Sequence, residues 1–256
     1  MTSITTPGME PAAYLACLRS DARAITAAAR AVDLDVPVAA CPGWAMRDLV
    51  AHVAQVHRWV ATIVWTRCTE AVNPRSLASI PPDDDVVDIY ERGATELVTL
   101  LEDLEPNTPL WNWAEPGDAD FWFRRMAHET AVHRWDAEHA AGVATPITPT
   151  ALALDGIDEL LDVLLTLRLK IEPGPAATMH LHATDPGRAD GTGEWLVTIA
   201  DAVTTTRGHD KGDVALRGNA SDLLLWAWGR MAATDPALEV YGDAAILTRW
   251  SETVKM

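Results

Sequence analysis

The hydrophobic period changes once along this chain, and that change limits the fold more than any other feature of the sequence. Up to about residue 170, apolar residues recur at the three- and four-residue spacing of helices. From Thr178 onward every second residue is apolar: Met179, Leu181 and Ala183 alternate with His180, His182 and Thr184, and Trp195, Val197 and Ile199 repeat the pattern. Helices come first and a small sheet follows, which predicts an α+β protein of two domains, residues 1–145 and 151–256.

Four helical segments are expected in the first part, over residues 11–31, 46–67, 84–104 and 118–141. Pro11 suits a first helical position, Pro81-Pro82 precedes the third segment, and Gly142 stands where the fourth should stop. Four helices joined by moderate loops suggest an antiparallel bundle. The Pro- and Thr-rich stretch 142–150 reads as the linker, and a fifth helix over 151–170 should end at Pro173-Gly174-Pro175. Short strands are expected at 178–184, 194–201 and 213–216. A helix capped by Asn219 or Ser221 then runs to about residue 231.

The fourth segment carries the chemistry. Glu129 and His133 stand four residues apart and project from one face, the face that also holds Trp122, Met126, Ala137 and Ala140. Arg124, Arg134 and Glu138 fall on the other side. On the second segment His52 shares its face with Leu49, Val56, Trp59 and Ile63, whereas His57 and His128 are turned away from their neighbours' ligand faces. A carboxylate and two imidazoles directed inward need partners or a metal. Two His and one carboxylate match a zinc site of the catalytic type, which leaves a fourth position open. The plainer alternative is a buried His–Glu hydrogen bond and an unrelated core histidine. Asp48 and Asp136 are placed to orient His52 and His133, and Arg125 to pair with Glu129; ordinary helix-surface charge pairs are the alternative for all three. His180 and His182 read as the solvent-facing alternates of a strand, and Cys41 as a small residue in a turn rather than a nucleophile.

Composition narrows the partners. A net charge of −17 opposes nucleic acid and anionic membrane surfaces. Three cysteines without a metal-type spacing fit a reducing cytoplasm, and neither a signal peptide nor an apolar run of about 20 residues is visible. The reading is a cytoplasmic monomer that takes small molecules. Eleven Trp against three Tyr and two Phe suit either a core or pocket walls.

Cys41-Pro42-Gly43-Trp44, followed by Arg47-Asp48-Leu49-Val50-Ala51-His52, resembles a signature of the actinobacterial mycothiol-dependent maleylpyruvate isomerase-like family. The run from His128 to Asp136 resembles a second signature, and Leu216-Arg217-Gly218 to Trp228-Gly229-Arg230 resembles the family's C-terminal domain. The resemblance implies a DinB-like four-helix bundle followed by a small α/β domain of sterol-carrier type. It implies metal ligands at His52, Glu129 and His133, with Arg230, and Arg217 second, contacting the thiol or an acidic substrate. Zinc or another divalent metal, and mycothiol, are the implied cofactors. Family members often place Thr after the Cys-Pro-Gly-Trp turn; Ala45 stands there, which puts the cap of the second helix in doubt.

The activity so implied is a cis–trans isomerisation: a thiolate adds to the double bond of a cis-enedioate, the resulting single bond rotates, and thiol loss gives the trans acid. Zinc would deprotonate the thiol. Two alternatives stay open: a mycothiol S-transferase, in which the adduct persists, and a non-enzymatic metal- or ligand-binding protein.

Overall fold

The computed structural model describes residues 8–83, 85–114, 117–143, 145–165, 175–187 and 192–253. They form seven helices and a five-stranded mixed sheet, divided into a helical unit (9–145) and a second unit from residue 146 onward. No described helix is long and apolar enough to cross a membrane.

The helical unit contains α1 (Pro11–Arg30), α2 (Met46–Thr66), α3 (Val86–Glu102) and α4 (Asp120–Ala140). Asp84, the expected start of the third helix, lies outside the described residues. Each of the first three helices buries one stripe: Tyr14, Leu18, Ile25 and Ala29 on α1, Leu49, Val53, Val60 and Ile63 on α2, and Tyr90, Ala94, Leu97 and Leu101 on α3. The doubted cap of α2 is supplied from inside the helix, because Asp48 Oδ2 accepts the Ala45 N–H at 2.9 Å. Asp48 therefore caps α2 rather than orienting His52.

Helices α1 and α2 each pack against both α3 and α4. Ring contact Trp59–Trp122, hydrogen bond His57–Thr130 and ring contact His52–His133 step back along α2 as they step forward along α4, so these two helices run antiparallel. Trp59, Trp111, Trp113, Trp122 and Phe121 interlock at the end of this seam; Trp59 Nε1 donates to Val72 O and Trp122 Nε1 to Trp111 O, both at 2.8 Å. Part of the Trp excess is thus core.

Helix α4 departs from the one-stripe rule. Its opposite side is covered too, and Arg134, read from the periodicity as lying away from the inward face, is 3% exposed. Helix α1 packs there and supplies Asp21, whose Oδ1 lies 3.3 Å from Arg134 Nε, while Glu138 Oε2 and the Thr145 carbonyl accept from Arg134 Nη1 at 2.8 and 3.0 Å.

The second unit opens with α5 (Thr150–Glu159), which continues as a π-turn over Leu160–Leu164. Residues 166–174, including the rest of the expected fifth helix and its Pro-Gly stop, lie outside the described residues. Strands β1 (Ala177–Ala183), β2 (Glu194–Ile199), β3 (Val203–Arg207), β4 (Val214–Gly218) and β5 (Glu239–Gly242) lie in the order β3-β2-β1-β4-β5, with β1 and β4 parallel and the other pairs antiparallel. Helix α6 (Ala220–Ala227) is capped by Asn219, whose side chain accepts the Asp222 N–H, and α7 (Ala245–Thr253) packs on β1. Met179, Leu181, Ala183, Trp195, Val197, Val214 and Leu216 fill the inner face of the sheet. The opposite face carries His180, His182 and Glu194 in register. His180 is nonetheless buried, contrary to a strand alternate facing solvent, because Glu194 and His209 close over it.

Burial pushes the Asp21 carboxyl up to about 6, although Arg134 draws it down. A folded value above the unfolded one means that this group favours folding at low pH and loses that contribution as pH rises through about 6. Asp21→Asn should remove the dependence. Denaturant unfolding between about pH 5 and pH 8 should cost the wild type roughly 1.5 kcal/mol more than the variant; equal losses would contradict the assignment.

Candidate metal centre

The turn before α2 is dictated by its residues. Trp44 N–H donates to Cys41 O at 2.9 Å, Pro42 takes the first central position, and Gly43 follows at φ +86, as a type II turn requires. The turn delivers the Trp44 ring against His52, with centroids 5.0 Å apart. It also brings the Cys41 sulfur to 3.8 Å from Asp136 Oδ2, a proximity between two distant segments that spacing along the chain does not announce.

On the α2–α4 seam His52, Glu129 and His133 converge, each offering a ligand atom within 4.8 Å of the others. Glu129 Oε1 lies 3.5 Å from His52 Nε2 and 3.4 Å from His133 Nε2. For metal–ligand bonds of about 2.0–2.1 Å, tetrahedral geometry separates neighbouring ligand atoms by about 3.4 Å, so both distances from Glu129 Oε1 fit a cation shared among the three. Arg125 does not displace a cation from Glu129. It bonds the other oxygen, Oε2, and leaves Oε1 facing the imidazoles.

Each charged group has a cause for its state. Burial opposes the Glu129 carboxylate, but Arg125, followed by His133 and His52, holds it well below the usual carboxylate range. Burial also opposes a charged His133; hydrogen bonds to Asp136 and Glu129 prevail and hold it up at about 9. Asp136 Oδ2 sits 2.9 Å from His133 Nδ1, which leaves Nε2 to point at Glu129 Oε1. The donor set, two imidazoles and one ionised carboxylate without a thiolate, suits zinc or a similar transition metal. His52 has the most exposed side chain of the three at 37%, against 17% for Glu129 and 11% for His133, so the set opens to solvent on its own side.

His57 and His128 stand outside this group. His57 Nε2 pairs with Thr130 Oγ1 at 2.9 Å and its ring packs on Tyr90; the His128 ring meets Tyr14 edge-on. Arg217 and Arg230 belong to the second unit. Arg217 is exposed on the open sheet face and pairs with Glu239 at 3.0 Å, and Arg230 Nη1 donates to the Trp228 carbonyl at 2.8 Å with its guanidinium over the Trp228 ring.

The family model described as the mycothiol maleylpyruvate isomerase N-terminal domain matches residues 15–138, and that of the corresponding C-terminal domain matches residues 151–249. No curated protein matches the chain. Among solved structures it resembles a mycothiol-dependent maleylpyruvate isomerase, with a TM-score of 0.63 and 14% identity over 91% of this chain and 93% of that one. A mutant of such an isomerase with one histidine replaced by alanine gives a TM-score of 0.62 at 14% identity over the same shares. At that identity the likeness concerns the fold. The two family domains together span most of the chain in the expected order, and the chain belongs to the mycothiol-dependent maleylpyruvate isomerase-like family.

Proposed function

We propose that the helical unit holds one divalent cation, zinc by preference, on His52 Nε2, Glu129 Oε1 and His133 Nε2, and that the protein is a mycothiol-using cis–trans isomerase of the maleylpyruvate type. The convergence of those three atoms within 4.8 Å carries the reading. A zinc-class cation, when bound, supplies an open position at which a thiol loses its proton near neutral pH. The remaining work falls to the chain. With a cation bound in place of the His133 Nε2 proton, Asp136 would hold the remaining proton on Nδ1 and so keep Nε2 facing inward, and Arg125 orients the Glu129 carboxylate by its outer oxygen.

The thiolate formed adds to one carbon of the cis double bond, and the electron pair moves onto the conjugated carbonyl as an enolate. Rotation about the new single bond and loss of the thiolate give the trans acid, so the thiol is regenerated and no redox partner is needed. Arg230, with Arg217 second, is the proposed partner of a carboxylate on the thiol or the acid, a role suited to a planar guanidinium fork. A cytoplasmic location and a monomeric state belong to the same proposal.

Purified protein given mycothiol and a cis-enedioic acid should release the free trans isomer with the thiol unconsumed, and His52→Ala should abolish turnover while leaving the circular dichroism unchanged. A stable thiol conjugate would reassign the chain as an S-transferase. Absence of any thiol-dependent consumption would overturn the enzymatic reading in favour of a binding protein.

Asp136→Asn should lower zinc affinity by about ten- to a hundredfold, the usual cost of losing a group that orients a ligand. Saturating zinc should restore most of the activity. Unchanged affinity would show that Asp136 does not orient His133.

A further inference from the structure

The second unit gathers three of the chain's eight histidines in one place. The sheet register does most of this. His180 and His182 alternate onto the face of β1 away from the helices, and antiparallel pairing sets Glu194, the first residue of β2, directly opposite His182. Beyond the end of β3, Gly208 N–H bonds Glu194 O at 3.2 Å. Its φ of +136, which L side chains rarely adopt, turns the chain so that His209 comes back over the same face.

The result is a closed group. A single oxygen, Glu194 Oε2, lies 3.3 Å from His180 Nε2, 3.5 Å from His182 Nδ1 and 2.5 Å from His209 Nδ1. The three imidazoles stand mutually near-perpendicular, with centroids 5.1 to 5.8 Å apart and interplanar angles of 81° to 88°. An ordinary cross-strand His–Glu pair occupies one imidazole. Here three nitrogens from three segments address one point, and the most deeply buried, His180 Nε2, has no hydrogen-bond partner. A buried polar nitrogen left so is costly, and a cation would satisfy it together with the other two. All four ligand atoms lie within 4.8 Å of one another, and two of the three distances to Glu194 Oε2 match the roughly 3.4 Å edge of a tetrahedral zinc set.

We propose that His180, His182, Glu194 and His209 form a second metal site, for zinc or a similar borderline transition metal, that ties the turn after β3 to the outer face of the sheet. Three imidazoles and a carboxylate favour such a metal over magnesium or calcium, which take oxygen donors. The site shares no residue with His52, Glu129 and His133 and does not depend on the function proposed for them. A pocket of about 450 Å³ adjoins it, lined among others by His180, His209, Asp210, Lys211 and Tyr241, so the cation has a path from solvent.

The test uses the full chain without an affinity tag, stripped of metal, reloaded with zinc, passed through a desalting column and analysed for bound zinc. His209→Ala is the first variant, because that side chain is 75% exposed and its removal should leave the fold intact. It should bind about one zinc fewer than the wild type, as expected when a four-ligand site loses a ligand. Glu194→Gln should do the same. The loss is one equivalent whether or not the helical unit carries its own cation, so the two proposals fail separately. In a His52→Ala, His133→Ala chain, cobalt should still give a tetrahedral visible spectrum that His209→Ala removes. Zinc content unchanged by both His209→Ala and Glu194→Gln would overturn the site.

Discussion

A carboxylate is placed inside the helical bundle at Glu129, and much of the unit's polar architecture answers to it. Burial opposes its charge, so each oxygen has cationic or imidazole partners: Arg125 on Oε2, His52 and His133 near Oε1. His133 in turn requires Asp136 on its far nitrogen, and the Cys41–Trp44 turn closes over the same end by setting Trp44 on His52. Removing any one member leaves another buried group without its partner, which is why such networks are strict about geometry. The same strictness fixes three donor atoms at the spacing of a metal set.

The rest of α4 follows the same logic on its other side. Arg134 is enclosed by Asp21, Glu138 and Thr145, so the helix carries charged groups on two buried faces and depends on α1 and α2 to balance them. The interlocked tryptophans around Trp59 and Trp122 fasten the seam at its far end with packing that needs no charge balance. Apolar packing thus sets how α2 and α4 lie, and the polar network uses that placement.

Much of this is legible in the amino-acid sequence because helical faces are local. The four-residue step from Glu129 to His133 and the apolar neighbours of His52 mark the inward faces without knowledge of the fold, and the Cys-Pro-Gly-Trp turn announces itself by its Pro and Gly. Arg134 was misleading, since the periodicity of α4 cannot reveal that α1 covers its second face. Strands β3 and β5 escaped because Val203-Thr204-Thr205-Thr206-Arg207 and Glu239-Val240-Tyr241-Gly242 are sheet edges with little apolar alternation. The histidine cluster escaped for a related reason: it is assembled by the register of β1 on β2 and by the turn at Gly208, not by any spacing along one element. In both units the side chains that could ligate a metal come from more than one element, and periodicity alone pairs only those on a single element.

The most direct measurement is anomalous diffraction at the zinc edge from crystals of the metal-loaded chain. A peak about 2.0–2.2 Å from His52 Nε2, Glu129 Oε1 and His133 Nε2 is the predicted result. A map from zinc-loaded crystals with no anomalous density among these three atoms, and the Glu129 carboxylate still shared by the two imidazoles, would contradict the account.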